Sequence, residues 1–185
     1  MTATIILLNG IGSAGKSSIA KALQQITAEP FLHVAMDDFL NMLPPLYFDH
    51  PDGLVFETLS EDGKPSVAIH TGLVCERLLS GMRRAVAALA ESGNNLVVDE
   101  VLMGAGEASA EYARLLAPYR LHWVGVMAPL DVLEARERER ADRMIGLARW
   151  QFPRVHAGLG YDLEIDTSQI SPIEAATAIK EKFGL

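Results

Sequence analysis

Apolar and polar residues alternate along the chain in blocks, and the apolar blocks predict strands. Four runs rich in β-branched residues and leucine have the pattern of buried parallel strands. These runs are TIILL (4–8), FLHVAM (31–36), NNLVVDEV (94–101) and YRLHWVGVMA (119–128), and DLEIDT (162–167) predicts a fifth, shorter strand.

Helices are predicted between the strands, where apolar residues recur every three or four positions. The predicted segments are 17–26, 71–91, 107–116, 131–150 with a break near Gly146, and 171–183 with Ser171 as N-cap and Pro172 in the first turn. Strands that alternate with helices predict an α/β fold, with one domain over residues 1–185 and a parallel five-stranded sheet covered by helices on both faces. The expected apolar face of helix 71–91 is Leu73, Leu78, Leu79, Met82, Val86 and Leu89.

Residues 43–65 interrupt this alternation, because they carry four prolines and two Asp-Gly pairs. The Asp-Gly pairs at 52–53 and 62–63, flanked by LVF and SVAI, favour a small hairpin. A long connection inside a compact domain is often functional, and we predict that residues 38–70 form the substrate side of a site. Their apolar side chains have two open interpretations, the lining of a pocket for an aromatic acceptor or the buried side of an ordinary loop. These side chains are Phe39, Leu40, Met42, Leu43, Tyr47, Phe48 and Phe56.

A glycine-rich segment follows the first predicted strand and precedes the first predicted helix. LLNGIGSAGKSS (7–18) matches G-x-x-x-x-G-K-[ST] through Gly10, Gly15, Lys16 and Ser17. Small residues let successive backbone N–H groups point into one concavity, and the positive end of the following helix favours anions. We predict that this segment binds the phosphates of a nucleotide, with Lys16 at the β- and γ-phosphates and Ser17 ligating Mg²⁺. The predicted binding residues are Gly10, Gly12, Ser13, Ala14, Gly15, Lys16, Ser17 and Ser18.

Acidic residues end two of the predicted strands, and the site of a parallel sheet lies beyond the carboxyl ends of its strands. Asp99 follows LVV, which is the pattern of an acid that holds Mg²⁺ directly or through water, and Glu100 is the weaker candidate. Asp37 ends the second strand, where it is predicted to accept the proton of an acceptor hydroxyl group. The alternative for Asp99 is a helix cap or a solvated turn acid. The alternative for Asp37 is the N-cap of a helix beginning at Phe39, and Asp38 competes with it for either role.

The segment EARERERADR (134–143) is rich in arginine and places Arg136, Arg140 and Arg143 on one face of a predicted helix. Arg138 points elsewhere. Spaced glutamates and arginines most often form a solvated, salt-bridged surface. Next to a phosphate-binding segment, we favour an arginine-bearing lid over residues 134–149, with Gly146 as a candidate hinge.

Composition indicates the cellular compartment and limits the classes of binding partner. The net charge of −8 argues against a nucleic-acid partner. Cys75 is the single cysteine, which excludes an internal disulfide and a cysteine-based zinc site. Neither a leader nor an apolar segment of about 18 residues is present, so we expect a cytoplasmic protein without a membrane partner.

His122 is predicted to be structural, whereas His50 and His156 lie in turn-like contexts that could face a substrate. The oligomeric state stays open.

With these residues in view, the chain resembles the chloramphenicol phosphotransferase family of P-loop kinases nearly end to end. The resemblance rests on ILLNGIGSAGKSSIA, EPFLHVAMDDF, LVVDEVLMG, WVGVMAPLDVLEARERERADR and GLARWQFPRVHAGLGYDLEIDT. The last segment is the most particular to the family, through Gln151, His156, Tyr161, Asp162, Asp166 and Thr167.

That resemblance implies a fold similar to nucleoside-monophosphate and shikimate kinases, with ATP and Mg²⁺. It also implies transfer of the γ-phosphoryl group to a hydroxyl of a small molecule, which is chloramphenicol in the founding resistance enzyme. By the same resemblance, Asp37 matches the family's proposed general base. Arg136, Arg140 and Arg143 match its lid region.

The identity of the acceptor stays open, because residues 38–70 do not follow the resistance enzyme closely. We favour a small-molecule O-phosphotransferase for which a chloramphenicol-like acceptor is plausible. A metabolic kinase for a polar acceptor such as a sugar acid is less favoured, because the loop is apolar and no matched arginine pair lies near Asp37 in the sequence. A P-loop nucleotide-binding regulator without acceptor chemistry is the alternative of another class, and an acid at Asp37 argues against it.

Overall fold

The computed structural model describes residues 2–61, 63–140 and 144–185. In these ranges the strands are β1 (Thr4–Gly10), β2 (Phe31–Ala35), β3 (Leu54–Glu61), β4 (Lys64–Thr71), β5 (Asn95–Glu100), β6 (Arg120–Met127) and β7 (Leu163–Asp166). The helices are α1 (Lys16–Ile26), α2 (Met36–Leu40), α3 (Leu73–Glu91), α4 (Glu107–Leu116), α5 (Leu130–Glu139), α6 (Leu147–Gln151) and α7 (Pro172–Phe183). A short 3-10 helix covers Pro45–Tyr47.

Five of these strands form one parallel sheet in the order β2-β5-β1-β6-β7, which confirms the predicted α/β fold. Side chains alternate between the faces of a strand, so one sheet supplies two cores. Ile6, Leu8 and Val97 pack with α1, α5 and α7 on one face. On the other face, Leu7 and Val98 pack with α3 and α4. The helices therefore cover both faces, as predicted.

The hairpin predicted between the Asp-Gly pairs is confirmed, and it is longer than the sequence indicates. Strands β3 and β4 pair antiparallel from Leu54 opposite Thr71 to Glu61 opposite Lys64. They form a separate two-stranded sheet. This hairpin packs on α6, where the Val67 N–H donates to the Gly146 carbonyl at 3.0 Å.

Helix α3 buries a different face near its start from the one predicted. Its fully buried side chains are Cys75, Met82, Val86 and Ala90. Leu73 is instead 75% exposed, because it lies at the first residue of the helix, beside a large cavity. Among the described residues, no helix has the length and apolarity that crossing a membrane requires.

The segment predicted as a helix over 131–150 is divided. Helix α5 ends at Glu139, and Arg140 has an extended backbone with φ −101° and ψ 117°. Gly146 precedes α6 with φ 104°, which confirms the predicted break. Its N–H donates to Glu137 Oε2 at 2.7 Å, and a Cβ there would lie 2.8 Å from the Pro65 carbonyl. Because three elements hold Gly146 in place, we assign no hinge to it.

Candidate active site

The glycine-rich segment forms a loop between β1 and α1, which we call the phosphate loop (residues 10–18). Ser13 and Gly15 both have positive φ angles, 67° and 96°, which turn the backbone around one concavity. Gly10 lies so close to β6 that a Cβ there would be 2.5 Å from the Val126 carbonyl oxygen. Lys16 Nζ donates to the carbonyl oxygens of Gly10 at 2.9 Å and Ile11 at 3.2 Å. The loop therefore has the geometry that the motif predicts.

Two residues near the end of the chain support the phosphate loop from outside. The Gly12 N–H donates to Gln151 Oε1 at 2.8 Å, and the Thr167 hydroxyl donates to the Ala14 carbonyl at 2.9 Å. Arg136 in turn donates to the Thr167 hydroxyl at 3.0 Å and to the Thr167 carbonyl at 2.7 Å. Spacing in the sequence assigns no role to Gln151 or Thr167, since each is more than 130 residues from its partner in the loop.

Ser17 and Asp99 meet at the start of α1, as the metal-site prediction requires. The Ser17 hydroxyl donates to Asp99 Oδ2 at 2.6 Å, and Lys16 Nζ lies 3.7 Å from Asp99 Oδ1. His33 Nε2 is also 3.7 Å from Asp99 Oδ2, which is too far for a direct hydrogen bond but close enough for an electrostatic contact. Burial alone raises the pKa of the Asp99 carboxyl, but His33, Lys16 and Ser17 together hold it below its usual value.

These oxygen atoms suit a hard cation such as Mg²⁺. No three histidine, cysteine, aspartate or glutamate side chains in the described ranges cluster closely enough to hold a metal. A magnesium ion at Ser17 and Asp99 would therefore depend on nucleotide oxygens and water for its remaining ligands, as Mg²⁺ in phosphate sites usually does.

Asp37 lies at the boundary between two concave regions. It lines the pocket formed by the phosphate loop and Asp99, and it also lines an adjoining cavity of about 710 Å³, which shares Gly12, Met36 and Val101 with that pocket. Asp38 lines neither of them. Helix α2 begins at Met36 with Ala35 as its N-cap, so the alternative prediction of Asp37 as the cap of a helix beginning at Phe39 is wrong.

The 710 Å³ cavity, which we call the acceptor cavity, is open to solvent on one side and is lined by α2, the hairpin, α3, α4, α6 and residues 100–103. Of the apolar residues predicted to line a pocket, Leu40 and Phe56 do so. Phe39, Met42 and Leu43 line a separate surface groove, and Tyr47 packs in the small core of Leu43, Leu54 and Cys75. Phe48 lines neither the cavity nor the groove and is 41% exposed, so its prediction is wrong. Other apolar residues around the acceptor cavity are Met36, Leu54, Ile69, Leu73, Leu79, Leu102, Met103, Leu147 and Trp150.

Charged side chains also line the acceptor cavity, and the sequence indicates none of them except Asp37 and Glu100. Arg77 and Arg83 come from α3, so two arginines share the cavity with Asp37 although none is near it in the sequence. Arg83 Nε pairs with Glu111 Oε2 of α4 at 2.5 Å. The remaining acidic residues of the lining are Glu76, Glu100 and Glu107.

Asp99 and Glu100 are neighbours in β5, and their side chains point to opposite faces of the sheet. Asp99 contacts Ser17, whereas Glu100 Oε1 accepts a hydrogen bond from the Tyr112 hydroxyl of α4 at 2.8 Å. Glu100 therefore points away from the metal-site residues that it was predicted to join. It is 3% exposed, and burial raises the pKa of its carboxyl despite hydrogen bonds from Tyr112 and from the Val101 N–H.

The arginine segment differs from its predicted geometry. Because α5 ends at Glu139, Arg140 does not continue the helical face that carries Arg136. Arg140 nevertheless lines both the phosphate-loop pocket and a neighbouring cavity of about 350 Å³ between the loop and α7. Arg136 lines the second of these only, and Arg138 lines neither. Arg143 lies outside the described residues.

The histidines have structural contacts. His122 stacks on Phe183 with ring centroids 4.1 Å apart. His156 Nδ1 is 2.8 Å from the Tyr161 hydroxyl, which accepts a hydrogen bond from Asn9 Nδ2 at 2.8 Å. Burial lowers the pKa of His156, so this imidazole is neutral near pH 7. Neither His156 nor His50 lines the acceptor cavity.

The family of the chain follows from comparison with known proteins. The family model described as chloramphenicol phosphotransferase-like protein matches residues 3–184, and the chain belongs to this family. Two Mycobacterium tuberculosis proteins, from strains CDC 1551 and H37Rv, bear the name "Putative O-phosphotransferase". Each is 32% identical to this chain over 184 residues, which are 97% of this chain and 81% of the relative.

Solved structures of two kinases and of a resistance protein share the fold. An APS kinase of M. tuberculosis, solved with AMPPNP and APS, superposes with a TM-score of 0.69 at 14% identity, over 100% of this chain and 99% of that one. A tunicamycin resistance protein of Deinococcus radiodurans gives 0.64 at 19% identity, over 99% and 96% of the two chains. A gluconokinase of Sinorhizobium meliloti gives 0.59 at 16% identity, over 99% and 96%. The fold is therefore that of the P-loop kinases.

The raised pKa of Glu100 predicts a stability change with pH that depends on this one carboxyl. A buried acid with a raised pKa takes up its proton more readily in the folded state, so the folded protein gains stability as pH falls from that pKa toward the unfolded value of about 4.3. We expect the free energy of unfolding of the wild type to rise relative to that of Glu100→Gln over this range. Glu107→Gln, an exposed acid of the same cavity, is the matched control. Urea unfolding between about pH 8 and pH 5 measures the difference, and a difference that stays constant over this range would contradict the assignment.

Proposed function

We propose that this member of the chloramphenicol phosphotransferase-like family transfers the γ-phosphoryl group of ATP to a hydroxyl group of a small molecule. The observation that carries the proposal is the position of Asp37, which lines both the phosphate-loop pocket and the acceptor cavity. A nucleotide regulator needs the first of these but has no use for a second cavity of about 710 Å³ that shares an acid with it. The name "Putative O-phosphotransferase" of the two mycobacterial relatives supports transfer to oxygen.

The nucleotide would bind along the phosphate loop. Its phosphates would accept hydrogen bonds from the loop N–H groups, and its base and ribose would extend into the 350 Å³ cavity toward α7. Mg²⁺, held through Ser17 and Asp99, would neutralise charge on the phosphate oxygens. Because the lowered pKa of Asp99 keeps its carboxylate ionised at neutral pH, this side chain is suited to that role.

In the proposed reaction, Asp37 accepts the proton of the acceptor hydroxyl while the hydroxyl oxygen forms a bond to the γ-phosphorus. The bond from that phosphorus to the oxygen bridging it to the β-phosphorus breaks, and ADP leaves with the electron pair. Lys16 and Arg140 supply positive charge on the nucleotide side. Arg136 acts on the loop through Thr167, which supports a positioning role for it.

Asp37→Asn tests the proposed base. The amide is nearly isosteric and cannot take the proton, so we expect phosphoryl transfer to fall roughly 10²–10⁴-fold, while nucleotide affinity stays within a few-fold. Asp38→Asn is the matched control, because Asp38 is adjacent but lines neither region, and it should transfer at close to the wild-type rate. Transfer is measured as acceptor-dependent ADP production over a panel of hydroxylated small molecules that includes chloramphenicol.

Two other roles for Asp37 predict different results in the same experiment. If Asp37 is a metal ligand, Asp37→Asn should lose Mg²⁺-dependent nucleotide binding together with the rate of phosphoryl transfer. If Asp37 is purely structural, Asp37→Asn should have a lower melting temperature and little kinetic change. If the asparagine variant transfers phosphate as fast as the wild type, Asp37 is not the base.

Lys16→Ala tests the phosphate loop itself. We expect transfer to be abolished, since Lys16 supplies the positive charge at the β- and γ-phosphates. We also expect the variant to remain folded, with a cooperative thermal transition. Lys21→Ala, in the exposed part of α1, is the control and should leave turnover unchanged. Turnover near the wild-type value in Lys16→Ala would exclude the assignment.

The lid over residues 134–149 remains a prediction, and amide hydrogen exchange tests it. If the arginine segment closes on the nucleotide, its exchange should slow when a non-hydrolysable ATP analogue is added. Helix α4, on the other face of the sheet, serves as the internal reference and should not change. Equal exchange of residues 134–149 with and without the analogue would count against a lid.

A further inference from the structure

The acceptor cavity has an acidic lining. Five acidic residues line it, and only two basic residues do, Arg77 and Arg83. The acidic residues are Asp37, Glu76, Glu100, Glu107 and Glu111. Because burial raises the pKa of Glu100, we count this acid as neutral, and the other four acids still exceed the two arginines by two. Such a lining repels a carboxylate or sulfate and attracts a cation.

Arg83 does not offset this charge freely, because it is held by another partner. Its Nε donates to Glu111 Oε2 at 2.5 Å, and Ser80 donates to the other oxygen of the same carboxylate at 3.3 Å. Arg77 lies on the exposed side of α3. The positive charge on the cavity lining is thus either paired or in contact with solvent.

Glu100 is the acid of this lining that lies deepest. It is 3% exposed, and the nearby cation Arg83, whose charge lowers the pKa of Glu100, pairs directly with Glu111 instead. Its hydrogen bonds come from a neutral hydroxyl, that of Tyr112, and from the backbone N–H of Val101. Each carboxylate oxygen can accept two hydrogen bonds and accepts one of these two, so each has the capacity for one more.

Burial disfavours the ionised form of this carboxyl, and a cationic group placed beside it would favour that form. Such a group brings its own desolvation cost, and it gains a charge-assisted hydrogen bond in a low-dielectric site. The apolar residues around the same cavity suit a drug-sized molecule with an apolar or aromatic body.

We propose that Glu100 is a specificity-determining residue that binds an ammonium group of the acceptor, and that the acceptor is therefore a hydroxylated amine with an apolar body. This inference rests on the proposed function, because it assigns the acceptor of that same site. Asp37 accepts the proton of the reacting hydroxyl group, and Glu100 binds the ammonium group deep in the cavity. Sugar acids and other anionic acceptors are disfavoured by the same charges.

Equilibrium binding to three probes tests the inference without requiring turnover. The probes share one aryl diol body and differ at one nitrogen: the free amine, its neutral N-acetyl amide, and its N-succinyl derivative, which ends in a carboxylate. We expect the wild type, saturated with Mg²⁺ and a non-hydrolysable ATP analogue, to bind the amine about 10-fold or more tightly than the carboxylate. Glu100→Gln should weaken amine binding by about 10-fold or more, and amide binding by less than about 3-fold.

Two further variants separate charge recognition from structural damage. Glu107→Gln removes an exposed acid of the same cavity and should change amine binding by less than about 3-fold. Tyr112→Phe removes the hydroxyl bonded to Glu100 but leaves the carboxylate, so it should retain the preference for the amine. If Glu100→Gln does not fold, the order of the three probes in the wild type and in Tyr112→Phe decides the matter.

The inference is overturned if the carboxylate probe binds as tightly as the amine, or if none of the three binds. It is equally overturned if Glu100→Gln weakens the amine and the amide alike. Transfer assays with the same probes separate this inference from the proposed function. If the amine binds through Glu100 but is never phosphorylated, the kinase proposal is contradicted and the proposed amine site stands. If wild type and Glu100→Gln phosphorylate the amine equally well, the kinase proposal stands and the amine site is contradicted.

Discussion

The alternation of side chains at the end of β5 is the constraint on which the arrangement of the site depends. Consecutive residues of a strand point to opposite faces, so Asp99 and Glu100 cannot serve the same region. Asp99 joins Ser17 beside the phosphate loop, and Glu100 turns toward α3 and α4. Their opposite pKa shifts follow from that division: burial raises the pKa of Glu100 more than Tyr112, Val101 and Arg83 lower it, whereas His33, Lys16 and Ser17 outweigh burial at Asp99. This dipeptide thus places one acid beside the phosphate loop and the other in the lining of the 710 Å³ cavity.

The phosphate loop is one short segment of the sequence, but residues distant in the sequence support it. Gln151 holds the Gly12 N–H and Thr167 holds the Ala14 carbonyl. A loop with two positive φ angles has few favourable contacts of its own, and hydrogen bonds from outside reduce the number of conformations it can adopt. The C-terminal third of the chain is therefore part of the nucleotide site, although it carries none of the motif.

Most of the fold and the nucleotide half of the site could be predicted from the sequence, because their signals are local. Apolar runs, capping residues and Asp-Gly pairs determine the strands, the last helix and the hairpin over short distances. The pairing of Ser17 with Asp99 could be predicted because acids at strand ends of a parallel sheet converge on the loop. The charged residues around the acceptor cavity could not be predicted, since Arg83 and Glu111 meet only through the packing of α3 on α4. The end of α5 before Arg140 is not predicted for a related reason. The repeated Glu-Arg pattern continues to Arg140, but the helical backbone conformation does not.

The hairpin connects the two halves of the site physically. Its strand β4 donates from Val67 to the Gly146 carbonyl, and the Gly146 N–H donates to the buried Glu137 of α5. Gly146 is the N-cap of α6, whose last residue is Gln151, the partner of the phosphate loop. The hairpin and α6 both line the acceptor cavity as well. The short helix that holds the Gly12 N–H is therefore also part of the cavity lining, so the two regions of the site share one element of the fold.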